Sequence, residues 1–178
     1  MKSSRNSLRG MVYASMFGAL TAVGAYITIP LQPVPITLQT LFTNLAGALL
    51  GGYLGALSQL VYILLGVMGL PVFAGGKAGV GVLFGPTGGY LIGFVLGAYL
   101  MGKMIEMRQQ AGFGWIVLAL GVGHVVVYGL GIIQLSAVAH LSAAKALAVG
   151  VLPFLPGDIL KILVAVFLTL KLRDYIKL

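Results

Sequence analysis

Long apolar stretches separated by short polar, proline-rich or glycine-rich segments make up almost the whole sequence. After a polar start, residues 11–29 are almost entirely apolar, and five further apolar stretches follow. Uninterrupted apolar stretches of this kind are typical of helices that cross a bilayer. The pattern predicts an all-α membrane protein, a bundle of about six transmembrane helices forming one domain over residues 1–178. The predicted helices are 11–29, 36–50, 53–69, 87–104, 115–137 and 153–172.

Proline and glycine mark the breaks between these helices. The segment 30–35 contains three prolines, which cannot continue a helix because proline lacks the N–H and clashes with the preceding turn. Gly51 and Gly52 predict a tight link between two helices. The sixth helix begins near Ala143 or after Pro153, so the prolines of segment 153–156 must break or kink its start.

Composition agrees with this pattern. Of 178 residues, 60% are hydrophobic and only 8% are charged, with a mean hydropathy of +1.07. A soluble domain carries about a quarter charged residues. The net charge of +8 does not indicate nucleic-acid binding, because the basic residues form no stripe interleaved with aromatics. The absence of cysteine excludes disulfides and thiol chemistry.

The distribution of basic residues predicts the orientation in the membrane. With the N-terminus inside, only Lys77 and Lys145 lie outside, and Lys161 lies within a span. The cytoplasmic side then holds Lys2, Arg5, Arg9, Lys103, Arg108, Lys171, Arg173 and Lys177. This bias predicts a multi-pass protein of the plasma membrane with both termini cytoplasmic and a basic tail over residues 1–10. A cleaved signal peptide is the alternative for the first stretch, but its apolar region is only about 7–15 residues long.

Asp158 and Lys161 are the strongest candidates for chemistry. They are three residues apart, so on a helix they share one face. Charges at membrane depth are costly, and a pair costs less than an isolated ion. One interpretation is a structural salt bridge that orients the sixth helix. The other is a ligand site, which the preceding Pro156 and Gly157 favour because a helix start exposes N–H groups.

The glycine-rich segment 75–89 predicts a second part of a ligand site. Its glycines do not have the spacing of a dinucleotide-binding motif, and Lys77 is not followed by Ser or Thr as in a P-loop. Irregular backbone near a membrane is tolerated where it is buried in protein or lines a cavity. The candidate contacts in and around this segment are Phe73, Gly75, Gly76, Lys77, Thr87 and Tyr90, and Gln39 is a candidate in the segment after the early prolines.

The first helix carries small residues at helical spacing, which lets another helix approach closely. The partner is either a neighbouring helix of the bundle or a second protein. The residues are Ala14, Ser15, Gly18, Ala19 and Ala22. His124 and His140 have no second ligand at helical spacing, so we interpret them as packing or interface residues and predict no metal site. No Ser/His/Asp arrangement with a nucleophile elbow is present, so we predict no enzymatic activity.

Three motifs resemble those of a known family. They are PLQPVPITLQTL over residues 30–41, LPVFAGG followed by GPTGGYLIGF over residues 70–94, and LPFLPGDILK over residues 152–161. In this order and spacing they resemble the BioY family, the biotin-binding S components of energy-coupling factor (ECF) transporters. The resemblance covers nearly the whole chain.

The resemblance implies a six-helix protein that captures biotin from outside and needs no cofactor. It also implies partners, namely a coupling membrane protein on which the first helix docks and two cytoplasmic ATPases. Asp158 and Lys161 are expected to bind biotin. Residues 75–76 are glycines and no arginine lies between Arg9 and Arg108, so Lys77, loop N–H groups or Tyr90 are the candidates for biotin's carboxylate.

Two other functions stay open on the residues alone. One is a stand-alone secondary permease that uses Asp158 as a proton site, and the other is a membrane scaffold for other proteins. The sequence contains no Walker motif, so active uptake needs either an ion gradient or an external ATPase.

Overall fold

The computed structural model describes residues 8–108 and 110–176, and the predictions for Lys2, Arg5 and Lys177 lie outside these ranges. Six helices are assigned in the described ranges: α1 Leu8–Tyr26, α2 Gln39–Val67, α3 Gly88–Glu106, α4 Phe113–Ala139, α5 Ala143–Gly150 and α6 Leu155–Leu172. Two short antiparallel strands, β1 Thr28–Ile29 and β2 Ile36–Thr37, connect α1 to α2. A single 3-10 turn, Val80–Val82, lies in the glycine-rich segment.

Helix α2 consists of two arms that fold back on each other. Gly51 interrupts it with a φ of 81° and a ψ of 177°, which is not helical. Thr43 donates a hydrogen bond of 3.2 Å to Oε1 of Gln59, sixteen residues further along the chain. In a straight helix these residues would be about 24 Å apart. The predicted link at Gly51 and Gly52 is therefore where the chain reverses between two antiparallel helices.

The ends of the first, second and sixth helices differ from the prediction. The second begins at Gln39 rather than at 36, because Ile36 and Thr37 form β2. The first helix ends at Tyr26 rather than at 29, because Thr28 and Ile29 pair with β2. The sixth begins at Leu155 rather than at 153, with Pro156 in its first turn, where the missing N–H costs no hydrogen bond. The stretch before it is a separate helix, α5, and the two are bent by 55°.

The fold class predicted from the sequence is confirmed, since the protein is a helical membrane bundle. By length and composition alone, α2, α3 and α4 qualify as membrane spans in the described ranges, and the bent pair of α5 and α6 adds a fourth. Counting the two arms of α2 separately and including α1 gives six long helices in the described ranges.

Basic side chains gather at one end of the bundle. There, Glu106 at the end of α3 accepts a hydrogen bond from the Gly52 N–H at the reversal of α2. Arg173 at the end of α6 donates to the Ala111 carbonyl in the link between α3 and α4, and Arg108 lies 4.8 Å above the Trp115 ring. The strands, the glycine-rich segment and the start of α6 lie at the opposite end.

The small residues of α1 form two rows, and the inner row packs on a neighbouring helix of the bundle, which is one of the two alternatives that the sequence left open. Docking of Ala14 and Gly18 on a second protein is therefore corrected. Ala14 is 1% exposed, Gly18 is buried and Ala22 is partly buried. A Cβ on Gly18 would lie 2.9 Å from the Ser58 carbonyl of α2, so α1 packs closely on the second arm there. Ser15 and Ala19 are exposed, because a helix turns a neighbouring row of positions outward.

Gly51→Ala is expected to destabilise the protein markedly. Positive φ is unfavourable for alanine, and its Cβ would overlap Oε1 of Glu106. We expect a loss of about 1–3 kcal/mol in the free energy of unfolding, measured as a lower melting temperature in detergent. Gly121→Ala, which introduces the same methyl group into open space on α4, is the matched control. An unchanged melting temperature for Gly51→Ala would contradict the described reversal.

Candidate functional site

A cavity opens at the end of the bundle opposite to Lys103, Arg108 and Arg173. Its atom-free volume, including the open solvent at its mouth, is about 690 Å³. Five parts of the chain surround it: the segment from Val34 into α2, the glycine-rich segment, the start of α3, the outer half of α4, and the residues around the start of α6. It therefore lies where the predicted irregular segments converge.

Asp158 and Lys161 form a buried ion pair in this cavity. Nζ of Lys161 lies 2.8 Å from Oδ1 of Asp158, and the two residues are only 8% and 4% exposed. Lys161 also donates to the Thr37 carbonyl at 2.6 Å and to Oγ1 of Thr40 at 3.1 Å. All three N–H groups of the ammonium therefore have acceptors, as a buried charge requires.

The carboxylate of Asp158 is held from three helices. Thr40 of α2 donates to Oδ1 at 3.1 Å, Lys161 of α6 donates to the same oxygen, and Tyr128 of α4 donates to Oδ2. Asp158 lies in the first turn of α6, where the helix dipole favours a negative charge. The pair is thus fixed in position before any ligand arrives.

The remaining walls are mainly apolar. A flat apolar ring system would be in contact with aromatic and aliphatic side chains on all sides. These side chains are Val34, Pro35, Phe73, Leu91, Phe94, Val127 and Phe154.

Most of the residues predicted for the site line this one cavity. They are Gln39, Phe73, Lys77, Thr87, Tyr90, Asp158 and Lys161. Gly75 and Gly76 do not line it. They form an exposed turn with φ values of 73° and 71°, in which the Gly76 N–H bonds to the Phe73 carbonyl. The structure therefore does not place these two glycines as ligand contacts.

Two of the lining side chains already use their polar groups inside the protein. The hydroxyl of Tyr90 donates to the Gly150 carbonyl at 2.9 Å. The amide of Gln39 donates to the hydroxyl of Tyr62 at 2.6 Å and accepts from Thr37 at 2.8 Å. Lys77, in contrast, is exposed at the rim. Among the candidates for holding an anion, Lys77 is therefore better placed than Tyr90.

The glycine-rich segment is anchored to the bundle on both sides of Lys77. Tyr62 donates to the Val72 carbonyl at 3.1 Å, and Tyr26 donates to the Pro71 carbonyl. Further along, the Gln134 amide donates to the carbonyls of Leu83 and Gly85 at 2.6 and 2.8 Å. Side chains of α1, α2 and α4 thus hold the wall of the cavity that carries Lys77.

Tyr128 and Thr40 are parts of the site that the sequence interpretation missed. Tyr128 lies in an almost uniformly apolar span, and nothing in the local pattern separates it from an aromatic packing residue. Thr40 follows Gln39 directly and lies within the first motif, so its position next to a candidate residue was the available signal. Their role is visible only in their hydrogen bonds to Asp158, and these contacts can be seen only in the three-dimensional structure.

The arrangement suits a ligand with a small, flat, neutral polar ring at one end and an anionic group at the other. A carboxylate accepts from N–H donors and an ammonium donates to a carbonyl, while apolar walls enclose a ring. Within residues 8–108 and 110–176, no group of three or more His, Asp or Glu side chains is close enough to hold a metal ion.

Comparison with known proteins gives a consistent result. The BioY family model matches residues 1–178. The biotin transporter BioY of Thermotoga maritima is 44% identical over 166 residues, covering 93% of this chain and 96% of that relative. A probable biotin transporter BioY of Pyrococcus horikoshii is 41% identical over 160 residues, covering 89% and 93%.

The fold of the chain also matches that of a solved structure. The crystal structure of an S-component for biotin from an ECF-type ABC transporter matches with a TM-score of 0.88 and 28% identity. The match covers 98% of this chain and 95% of that chain. The resemblance seen in the three motifs is confirmed, and the chain belongs to the BioY family.

Proposed function

We propose that this chain is the membrane subunit that captures biotin from the external side for uptake by an ECF-type transporter. The observation that carries this proposal is the buried pair of Asp158 and Lys161 in a cavity whose other walls are mainly apolar. The chain is a transport subunit and not an enzyme. Biotin is its transported ligand rather than a cofactor.

The chemistry of biotin suits the cavity. Its ureido ring carries two N–H donors for the carboxylate of Asp158 and a carbonyl acceptor for the ammonium of Lys161, where this carbonyl would replace Thr37 or Thr40 as an acceptor. The sulfur-containing ring is apolar and would contact side chains such as Phe73 and Phe94. The valerate chain ends in a carboxylate, which Lys77 at the rim would hold.

The orientation follows from the two ends of the bundle. Lys103, Arg108 and Arg173 lie at the end opposite to the cavity, as expected for a cytoplasmic face. The cavity then opens to the outside, and both termini are cytoplasmic. The membrane is the plasma membrane.

Uptake depends on a coupling membrane protein and two ATPase subunits. The chain contains no Walker motif, so it cannot hydrolyse ATP by itself. The surface we propose for docking on the coupling protein is the exposed row of α1 that contains Ser15 and Ala19, flanked by Met11 and Val23. Its small side chains allow close helix contact.

Purified protein is expected to bind biotin in detergent without ATP and after treatment with a chelator. The reason is that the polar groups of the cavity are already held in place by the protein itself. Titration calorimetry measures this directly, with desthiobiotin, which keeps the ureido ring, as a positive control and a fatty acid of similar length as a negative control. Heat that appears only after a metal ion is added would contradict the proposal.

A further inference from the structure

His124 of α4 is a buried titratable residue to which the proposed biotin site assigns no role. It is 5% exposed, and its Nε2 has no hydrogen-bond partner within the described ranges of the chain. The nearest charged atom is Oδ2 of Asp158, at 4.0 Å. An unpartnered polar atom this deeply buried is unusual, since buried polar groups are normally hydrogen-bonded.

The other ring nitrogen determines which tautomer is present. Nδ1 of His124 lies 3.0 Å from the Leu120 carbonyl, one turn earlier on α4. A carbonyl oxygen only accepts, so Nδ1 must carry the proton in this bond. In the neutral imidazole Nε2 is then without a proton, and its lone pair faces the lone pairs of a carboxylate oxygen. Two acceptor atoms repel each other, which agrees with the distance of 4.0 Å between Nε2 and Oδ2 and with the absence of a hydrogen bond to Nε2 in the described structure.

A proton on Nε2 changes the interaction between His124 and the carboxylate of Asp158 from repulsive to attractive. A cationic imidazole then faces a carboxylate, and an approach of about 1 Å from the present 4.0 Å would let Nε2 donate a charged hydrogen bond to Oδ2 of Asp158. The carboxylate offers about four lone-pair positions. Lys161 and Thr40 occupy two on Oδ1, and Tyr128 occupies one on Oδ2. The remaining position, on Oδ2, is open either to a ligand N–H or to protonated His124.

The charged groups near His124 influence whether its imidazole binds a proton. On α6, the carboxylate of Asp158 lies 4.0 Å from Nε2, and the ammonium of Lys161 lies behind it, 2.8 Å from the other oxygen of the same carboxylate. On α4 the ring of Tyr128 lies 6.0 Å away between centroids.

Among the described residues, the other helices near His124 contribute no charge. On α3 the side facing this part of α4 presents Gly97 and Met101, and from α2 the uncharged Thr40 reaches Asp158. Within the described part of the chain, Asp158 and Lys161 are therefore the charged groups that face His124.

We propose that His124 is a proton-binding site coupled to the ligand site, at which proton uptake weakens the binding of biotin. The inference rests on the proposed function. A proton on Nε2 takes the last acceptor position of Asp158 and adds a positive charge near Lys161, so the ureido N–H groups lose their strongest acceptor. By reciprocity, binding of biotin must expel this proton.

Calorimetry on the full chain in detergent tests the coupling. We expect the Kd for biotin to rise as the pH falls from 8.5 to 5.5, most steeply at the acidic end and by no more than about tenfold per pH unit, which is the limit for one proton. The carboxyl group of biotin stays ionised over this range, since such groups titrate near pH 4. Titrations at acidic pH in two buffers of different ionisation enthalpy should show proton release on binding. A pH-independent Kd without proton release would overturn the inference.

Two variants separate His124 from other groups. His124→Phe is expected to bind biotin with a pH-independent Kd and without proton release. His140→Asn removes the other histidine, at an exposed position with a φ of 51° that asparagine tolerates, and should keep the wild-type pH profile. Persistence of the pH dependence in His124→Phe would overturn the inference.

The outcomes for the inference and for the proposed function are distinguishable. Binding of biotin that does not vary with pH contradicts only the role of His124. Folded protein that does not bind biotin even at pH 8.5 contradicts the proposed function itself, and the inference with it. If His124→Phe does not fold, the proton count of the wild-type protein decides by itself.

Discussion

Asp158→Asn and Lys161→Met are each expected to weaken biotin binding by roughly 10- to 150-fold. This range corresponds to about 1.5–3 kcal/mol for one lost hydrogen bond to a charged group. Asparagine keeps the shape of Asp158 but replaces one acceptor oxygen with a donor, which in the proposed site would face the N–H groups of the ureido ring. Methionine keeps the volume of Lys161 but cannot donate to the ureido carbonyl. Calorimetry with biotin at pH 8 measures both effects.

The double variant Asp158→Asn/Lys161→Met separates binding from stability. Removing one partner of a buried ion pair leaves an uncompensated charge, whereas removing both is often tolerated. We therefore expect the melting temperature of the double variant to lie closer to the wild type than those of the single variants, while binding stays weak. Wild-type affinity in the double variant would show that the pair is only structural.

Lys103→Met is the matched control for Lys161→Met. Lys103 and Glu106 also form an i,i+3 ion pair, with Nζ and Oε2 3.0 Å apart, at the opposite end of the bundle. About a third of each side chain is exposed, and such pairs contribute little to stability. The affinity for biotin is expected to be unchanged. A similar loss of affinity in this variant would point to a general effect of removing a lysine.

The fold was largely predictable because apolar length and helix breakers are local signals. The reversal at Gly51 and the break before Pro156 occur at glycine and proline, which disfavour or break a continuous helix. The end of α1 was not predictable in the same way. Thr28 and Ile29 are apolar or β-branched and suit either a helix end or a strand, and their pairing with β2 depends on a segment seven residues later.

The site was predictable where a residue is unusual in its span, and not where it is ordinary. Asp158 and Lys161 stand out as charges among apolar residues. Tyr128 and His124 do not, because an aromatic residue or a lone histidine in a bundle is commonly a packing residue. Their closeness to Asp158 arises from the packing of α4 against α6, which no sequence spacing within α4 encodes.

The small residues of α1 show a limit of periodicity arguments. Spacing identifies which residues share a row on a helix, but not which row faces the bundle. Ala14 and Gly18 form one row, and Ser15 and Ala19 form the next, about 100° around the helix. Only the contact of Gly18 with the Ser58 carbonyl of α2 shows that the first row is inside.

Ala19→Leu is expected to abolish biotin uptake while leaving biotin binding close to wild type. Ala19 lies in the exposed row of α1, about ten residues inward from the strands at the cavity end, so a larger side chain reaches neither the cavity nor α2. It would instead hold the coupling protein away from the helix backbone, where van der Waals contacts decide association in a membrane. Uptake is measured with radiolabelled biotin in liposomes that contain the chain, the coupling protein and both ATPases, with ATP inside.

Ala137→Leu provides the matched control, since it makes the same change at an exposed position on α4. We expect it to preserve both uptake and binding. Equal loss of binding and uptake in Ala19→Leu would indicate a folding defect, and full uptake would place the docking surface elsewhere. The same liposomes without the coupling protein and ATPases address the energy source. Uptake driven there by a pH gradient would favour the stand-alone permease, whereas uptake that requires ATP and the complete set of subunits supports the proposed transporter.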